Sequence, residues 1–195
     1  MSRLFVIVTV LLAASAAQAH VGVGDTSGFV HGFAHPLGGI DHILAMVAIG
    51  LFAAQRGGRA LWLVPLSFVS MMIVGGVFGM AGVALPFVEI GIGLSIVVLG
   101  IAVALSLDLP IAAAMALVGL FAIFHGHAHG AEMPETGSGL EYGLGFVLAT
   151  VSLHAIGIGL GMQIGRMSRL YGRRILQAMG SVMALTGVAI LAGYM

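Results

Sequence analysis

Past residue 35 the chain is a succession of apolar runs of spanning length separated by short polar breaks. The runs cover about 36–54, 60–81, 86–106, 109–127, 140–164 and 175–195. A helix rising 1.5 Å per residue needs about 20 such residues to cross ~30 Å of hydrocarbon. Backbone groups in lipid must bond within their own segment, so each run is predicted to be helical. A β-barrel would require ~10-residue strands alternating in polarity, and the continuous run Ile111 to Ile123 does not alternate. The expectation is an all-α membrane protein, a bundle of six transmembrane helices forming one domain over residues 20–195.

The first nineteen residues follow a different pattern. Arg3 precedes an apolar run from Leu4 to Ala14, and Ala17-Gln18-Ala19 satisfies the small-x-small cleavage rule. The run of about 11 residues falls short of a span, which favours a cleaved signal peptide over a retained first helix. His20 would then be the mature N-terminus, with its amine and its imidazole both able to chelate a metal.

Composition narrows the class. Sixty per cent of the 195 residues are hydrophobic and 7% are charged, against roughly 25% charged in a soluble domain. Mean hydropathy is +1.16. A soluble enzyme is excluded, since so few charges cannot coat a globule of this size. The net charge of zero leaves no basic face for nucleic acid. Cysteine is absent, and with it disulfides, thiolate metal sites and cysteine nucleophiles.

The arginines set an orientation. With residue 20 outside, the inner loops are 55–59, 107–108 and 165–174. Arg56, Arg59, Arg166, Arg169, Arg173 and Arg174 then all lie inside, and the outer loops 82–85 and 128–139 carry none. The expected location is a bacterial cytoplasmic (inner) membrane, multi-pass, with both mature ends on the outer, periplasmic side.

Glycine is abundant, 31 of 195 residues. Gly75/Gly79 and Gly157/Gly161/Gly165 follow the small-xxx-small spacing that lets helices approach closely in lipid. Gly157-x-Gly159-x-Gly161 lies inside a span with no preceding strand and is not read as a nucleotide loop. Exposed glycine faces also permit a homo-oligomer. The twelve methionines are scattered through apolar runs, which fits core packing better than a copper(I) ladder.

Eight histidines in so apolar a chain are the central chemical feature. They fall into His20, His31, His35 and His42; His125, His127 and His129; and His154. The first two groups are expected at the outer face. Span one is predicted to begin near Pro36, a favourable first-turn residue. Asp41 would then sit on the order of 8 Å below the outer boundary. An ionised carboxylate there costs several kcal/mol unless it is paired, protonated or bound to a cation. His35 and His42, two turns apart, would share a side if the helix reached back to residue 35. Imidazoles beside a carboxylate suit a borderline divalent metal. An Asp–His pair that merely locks two helices is the plain alternative.

His125 and His129 share a face in a helix while His127 points away; in an extended segment all three align. Glu132 and Glu135 follow in the outer loop. Glu89, at shallow depth in span three, either supports a ligating histidine or snorkels to the interface. His154 lies about 20 Å from the outer face, past the midplane, as a relay position or a packing residue. Thr150 and Ser152 are its polar neighbours. His31–His35 and His125–His129 share an HGxAH pattern that ends after five residues, which indicates shared ligand chemistry rather than an internal repeat.

Three motifs in order resemble the HupE/UreJ family. These are His35-Pro-Leu-x-Gly-x-Asp41-His42, Phe124-His125-Gly-x-Ala-His129-Gly-x-Glu132, and Gly145-Phe146…Thr150…His154…Gly157. The resemblance covers essentially the whole chain. It implies a six-helix permease that moves nickel, in some members cobalt, toward assembly of cytoplasmic hydrogenases or ureases. By position it marks His35, Asp41, His42, His125, His129, Glu132 and His154 as metal residues. His20, His31, His127 and Glu89 rest on spacing alone. Five residues separate His35 from Asp41, where the nickel–cobalt transporters with an HxxxxDH motif have four, so that family's site is not transferred.

The function expected is therefore a permease for a divalent transition metal, Ni2+ first, with Co2+ or Zn2+ as further candidates and the lipid bilayer as its other partner. No permanent cofactor or enzymatic activity is expected. Ligation needs deprotonated imidazole, so uptake should weaken below a pH near 6.5. Two other classes compete: an intramembrane zinc-dependent hydrolase, and a non-conducting metal-binding accessory protein.

Overall fold

A computed structural model of the chain describes residues 28–133, 139–167 and 169–193, and these are helical with no strand among them. The helices are α1 (Gly28–Gly38), α2 (Ile40–Arg56), α3 (Ala60–Met80), α4 (Val88–Leu105), α5 (Ile111–Ala131), α6 (Gly139–Gly165) and α7 (Arg169–Leu191). Five of them, α3 to α7, are long and apolar enough to cross a membrane, and α1 with α2 makes a sixth candidate as one broken span. The signal-peptide reading and His20 lie outside the described residues.

The first span departs from expectation. It is two helices bent by 82° rather than one helix from residue 36. Pro36 sits inside α1, not at the start of the span. The chain turns at Gly39, whose backbone is extended (φ −96°, ψ 118°). Asp41 Oδ1 accepts the His42 amide at 2.7 Å, satisfying a first-turn donor that the break leaves without a helical partner. A carboxylate at a helix N-terminus is also favoured by the peptide dipoles.

Close glycine contacts define three helix pairs. A Cβ at Gly75 would meet Ile123, and one at Gly126 would lie 2.9 Å from the Gly76 nitrogen, so α3 and α5 touch backbone to backbone. Gly100 and Gly180 join α4 to α7, each with a Cβ position within 3.0 Å of the partner helix's alanine Cα atoms. On α2 and α6, Gly50 faces Gly157, and Gly161 faces Ala54. Gly165 has open space around it, so the predicted glycine row ends one turn earlier.

These pairings fix direction. Residues 50 and 54 match 157 and 161, so α2 and α6 run parallel; α3 and α5 also run parallel; α4 and α7 run antiparallel. The six crossings alternate. One end gathers Arg56, bonded to Asp108 at 2.6 Å, and the α6–α7 junction where Gly172 abuts Ile164. The other end holds Glu132 and His127. Between them α2 is the core helix: Ala45, Met46, Ala48, Ile49, Leu51, Phe52 and Ala53 are all fully buried. Large apolar side chains such as Trp62, Leu66, Ile73 and Leu185 face outward, as a multi-pass membrane protein requires.

Candidate metal centre

Because α1 folds across the mouth of the bundle, α2 starts well below the beginning of α6. His42 Nε2 lies 3.3 Å from Thr150 Oγ1, and Thr150 is eleven residues into α6, about 16 Å along it. The break therefore sets His42 level with the third turn of α6 rather than with its start.

Two sets of three ligand-type side chains form there, and they share one member. His42, His125 and His129 each offer a ring nitrogen, all within 4.8 Å of one another; His35, His129 and Glu132 do the same with a carboxylate oxygen as the third donor. In the outer set, His35 Nε2 lies 3.0 Å from His129 Nδ1 and 3.4 Å from Glu132 Oε2. Glu132 is 62% exposed, so this set reaches water. The inner set is sealed at His42 and His125, each only 1% exposed, while the shared His129 is 17% exposed. Such a grouping of imidazoles suits a borderline divalent cation, the carboxylate adding charge compensation at the entrance.

The helix geometry settles the alignment of the second motif. Residues 125 and 129 are one turn apart on α5, which continues to Ala131 rather than stopping at 127. His127 points elsewhere, its Nε2 donating to the Val83 carbonyl at 2.7 Å, where it ties the α3–α4 loop to α5. It lies outside both sets. His31 packs beside His35 and Tyr142, with ring centroids 6.0 and 5.8 Å away, and is in neither set. Glu89 is exposed in the first turn of α4, and among the described residues nothing bonds to it. Glu135 falls outside the described residues.

Asp41 is also in neither set. Its carboxylate accepts the His42 amide at the start of α2. His154 is buried one turn beyond Thr150, both ring nitrogens without a partner, its ring edge-on to Phe68 at 5.3 Å. Phe68 also faces His125, at 5.8 Å, so this one ring stands between the inner set and His154.

Two clefts flank the cluster. One of about 570 Å³ runs between α3, α5 and α6, with His129, Met72, Gly126 and Phe146 on its walls. The second, of about 290 Å³, lies further toward the arginine end between Trp62, Pro65 and His154.

Several residues around the site make contacts that residue order does not show. Ser95 bonds His125 at 3.0 Å from thirty positions away. Phe146 packs on both His42 and His129, at 5.2 and 4.5 Å between ring centroids. Tyr142 places a buried hydroxyl with no partner near the outer set. Thr150, which stands in the third motif, meets His42 rather than His154.

This arrangement rests on the same motifs that suggested a relationship. The family model described as HupE / UreJ protein matches residues 8–190. The chain belongs to the HupE/UreJ family. A curated relative, Protein HupE of Rhizobium leguminosarum bv. viciae, is 42% identical over 193 residues, which cover 98% of each chain. No solved structure matches. Family membership thus extends over the whole described bundle, and the two ligand sets lie on its first and second motifs.

Proposed function

We propose that this HupE/UreJ protein is a membrane permease for a divalent transition metal, nickel first and cobalt or zinc as further candidates, supplying hydrogenase or urease maturation in the cytoplasm. The observation that carries the reading is the sharing of His129 between a water-reaching set and a sealed set. An ion held by Glu132, His35 and His129 exchanges the first two for His42 and His125 while keeping the third. Coordination is never surrendered during the step, which limits the cost of stripping water from a doubly charged ion. Asp41, bonded to the His42 amide, offsets part of the charge brought into the sealed set.

His154 is then the next donor along the path. It lies across the Phe68 ring from His125 and on the wall of the second cleft, toward the arginine end. With the arginines inside, as the positive-inside rule has it, this direction is inward and both mature termini are periplasmic. His31, His127, Glu89 and His20 have no part in the path as proposed.

The hydrolase alternative draws no support from Ser95, although it touches a histidine. Its side chain is fully buried and its hydroxyl proton is donated to the Ile92 carbonyl at 2.6 Å. Uptake of radioactive nickel into cells expressing Asp41→Ala and His42→Ala tests the permease reading: both should lose it, and wild-type rates in both would defeat it. Flux into proteoliposomes separates transport from a non-conducting binder.

A further inference from the structure

Two of the three histidines of the sealed set, His125 and His42, have one ring nitrogen occupied by a hydroxyl, and in each case the hydroxyl's own proton is committed elsewhere. Ser95 Oγ donates to Ile92 O at 2.6 Å, and His125 Nε2 lies 3.0 Å from the same oxygen. A hydroxyl has one proton, so toward His125 it can only accept. His125 must therefore carry its proton on Nε2. At the second position Thr150 Oγ1 donates to Met72 Sδ at 3.8 Å, a weaker bond, and His42 Nε2 lies 3.3 Å from that oxygen. With the Thr150 proton given to the sulfur, this oxygen too can only accept from His42, whose proton then lies on Nε2. The other nitrogen of each ring, Nδ1, is buried and has no hydrogen-bond partner.

We propose that Ser95 and Thr150 are positioning residues, each fixing its histidine in the Nε2–H tautomer so that a bare Nδ1 lone pair is held in readiness for a divalent transition-metal ion. A buried ring nitrogen lacking a proton and a partner is unfavourable unless something uses it. A metal uses both. Metal-ligating histidines commonly give their second N–H to an oxygen acceptor, which sets tautomer and ring orientation together. The arrangement also explains why two hydroxyl side chains, one on α4 and one on α6, point inward in an apolar bundle where alanine and valine would fill the same space. This inference rests on the reading of the sealed set as a metal centre and adds to it the atoms that bind and the residues that choose them.

The test uses the full-length protein in detergent or nanodiscs. In metal-free wild type labelled with 15N-histidine, nitrogen chemical shifts should show unprotonated Nδ1 at His125 and His42. A proton on Nδ1 at both overturns the assignment, whatever the metal behaviour. Nickel titration then compares Ser95→Ala and Thr150→Val, which remove a hydroxyl at nearly constant volume, with Thr150→Ser, which keeps it. The expected result is affinity about 10–100-fold weaker in the first two and close to wild type in the third. Wild-type affinity in Ser95→Ala and Thr150→Val, with His125→Ala impaired, would overturn the positioning role while leaving the metal centre standing. Wild-type affinity in His125→Ala as well would remove the metal centre itself.

Discussion

Gly157 and Gly159 lie two residues apart on α6, and alanine at each should have opposite consequences. A Cβ at Gly157 would meet the Val47 carbonyl, lie 2.9 Å from Gly50 Cα and 3.2 Å from Leu51 N; at Gly159 nothing is within 4 Å. Carbon atoms pack at about 3.5–4.0 Å, so α2 would have to retreat from α6 by roughly 0.6 Å or more. Overpacking of this kind costs about 1–3 kcal/mol. The helix-propensity gain of alanine over glycine, about 1 kcal/mol, applies to both variants and cancels between them. Gly157→Ala should therefore be less stable than Gly159→Ala by about 1–3 kcal/mol, or about 2–12 °C in melting temperature at this chain length. Function should follow. His42 rides on α2, and a shift of that size exceeds the ~0.5 Å tolerance of a preorganised site. Melting followed by intrinsic fluorescence, with nickel titration on the same samples, decides the matter. Equal melting temperatures for the two variants would refute the backbone contact between α2 and α6, and with it the placement of His42 beside Thr150.

His129→Ala should weaken nickel binding more than His35→Ala, since it removes a donor from both sets; equal losses in equilibrium dialysis would contradict the shared-ligand geometry. His127→Ala should leave nickel affinity unchanged while costing about 1 kcal/mol of stability through its bond to Val83, and a loss of affinity would place it in the path after all. Asp41→Asn keeps an oxygen for the His42 amide but discards the charge, so the fold should survive while affinity falls; unchanged affinity would reduce Asp41 to a helix cap. Arg56→Ala breaks an ion pair with an aspartate that is 96% exposed, and thermal melting should register less than about 1 kcal/mol.

Much of this protein is written in its residue order because lipid and helix impose so few alternatives. Unbroken apolar runs admit only helices, and helices of that length near Ala60, Val88, Ile111, Gly139 and Arg169 follow. Arginines gathered in two breaks place one end of the bundle, and the alternation of helix directions brings those breaks together. The histidine motifs announced their chemistry through residue type alone, since neutral imidazoles in hydrocarbon need a reason to be there.

The bend at Gly39 was not readable in this way. Pro36 and the Gly38-Gly39 pair are as compatible with a span beginning at 36 as with a break after 38, because local propensities there are nearly balanced. Packing tips the balance: Gly32 and Gly145 let α1 lie directly on α6, and this contact pulls the chain across the bundle mouth. From that one turn come the depth of His42 and its separation from His35. Which of the histidines meet is likewise a matter of three-dimensional contact. His125 and His129 face inward against Ser95 and Phe146, while His127 is turned to a loop carbonyl, although all three look alike in the chain. Residue type states what a side chain can bind; only the packing of helices from distant parts of the chain determines what stands within bonding distance of it.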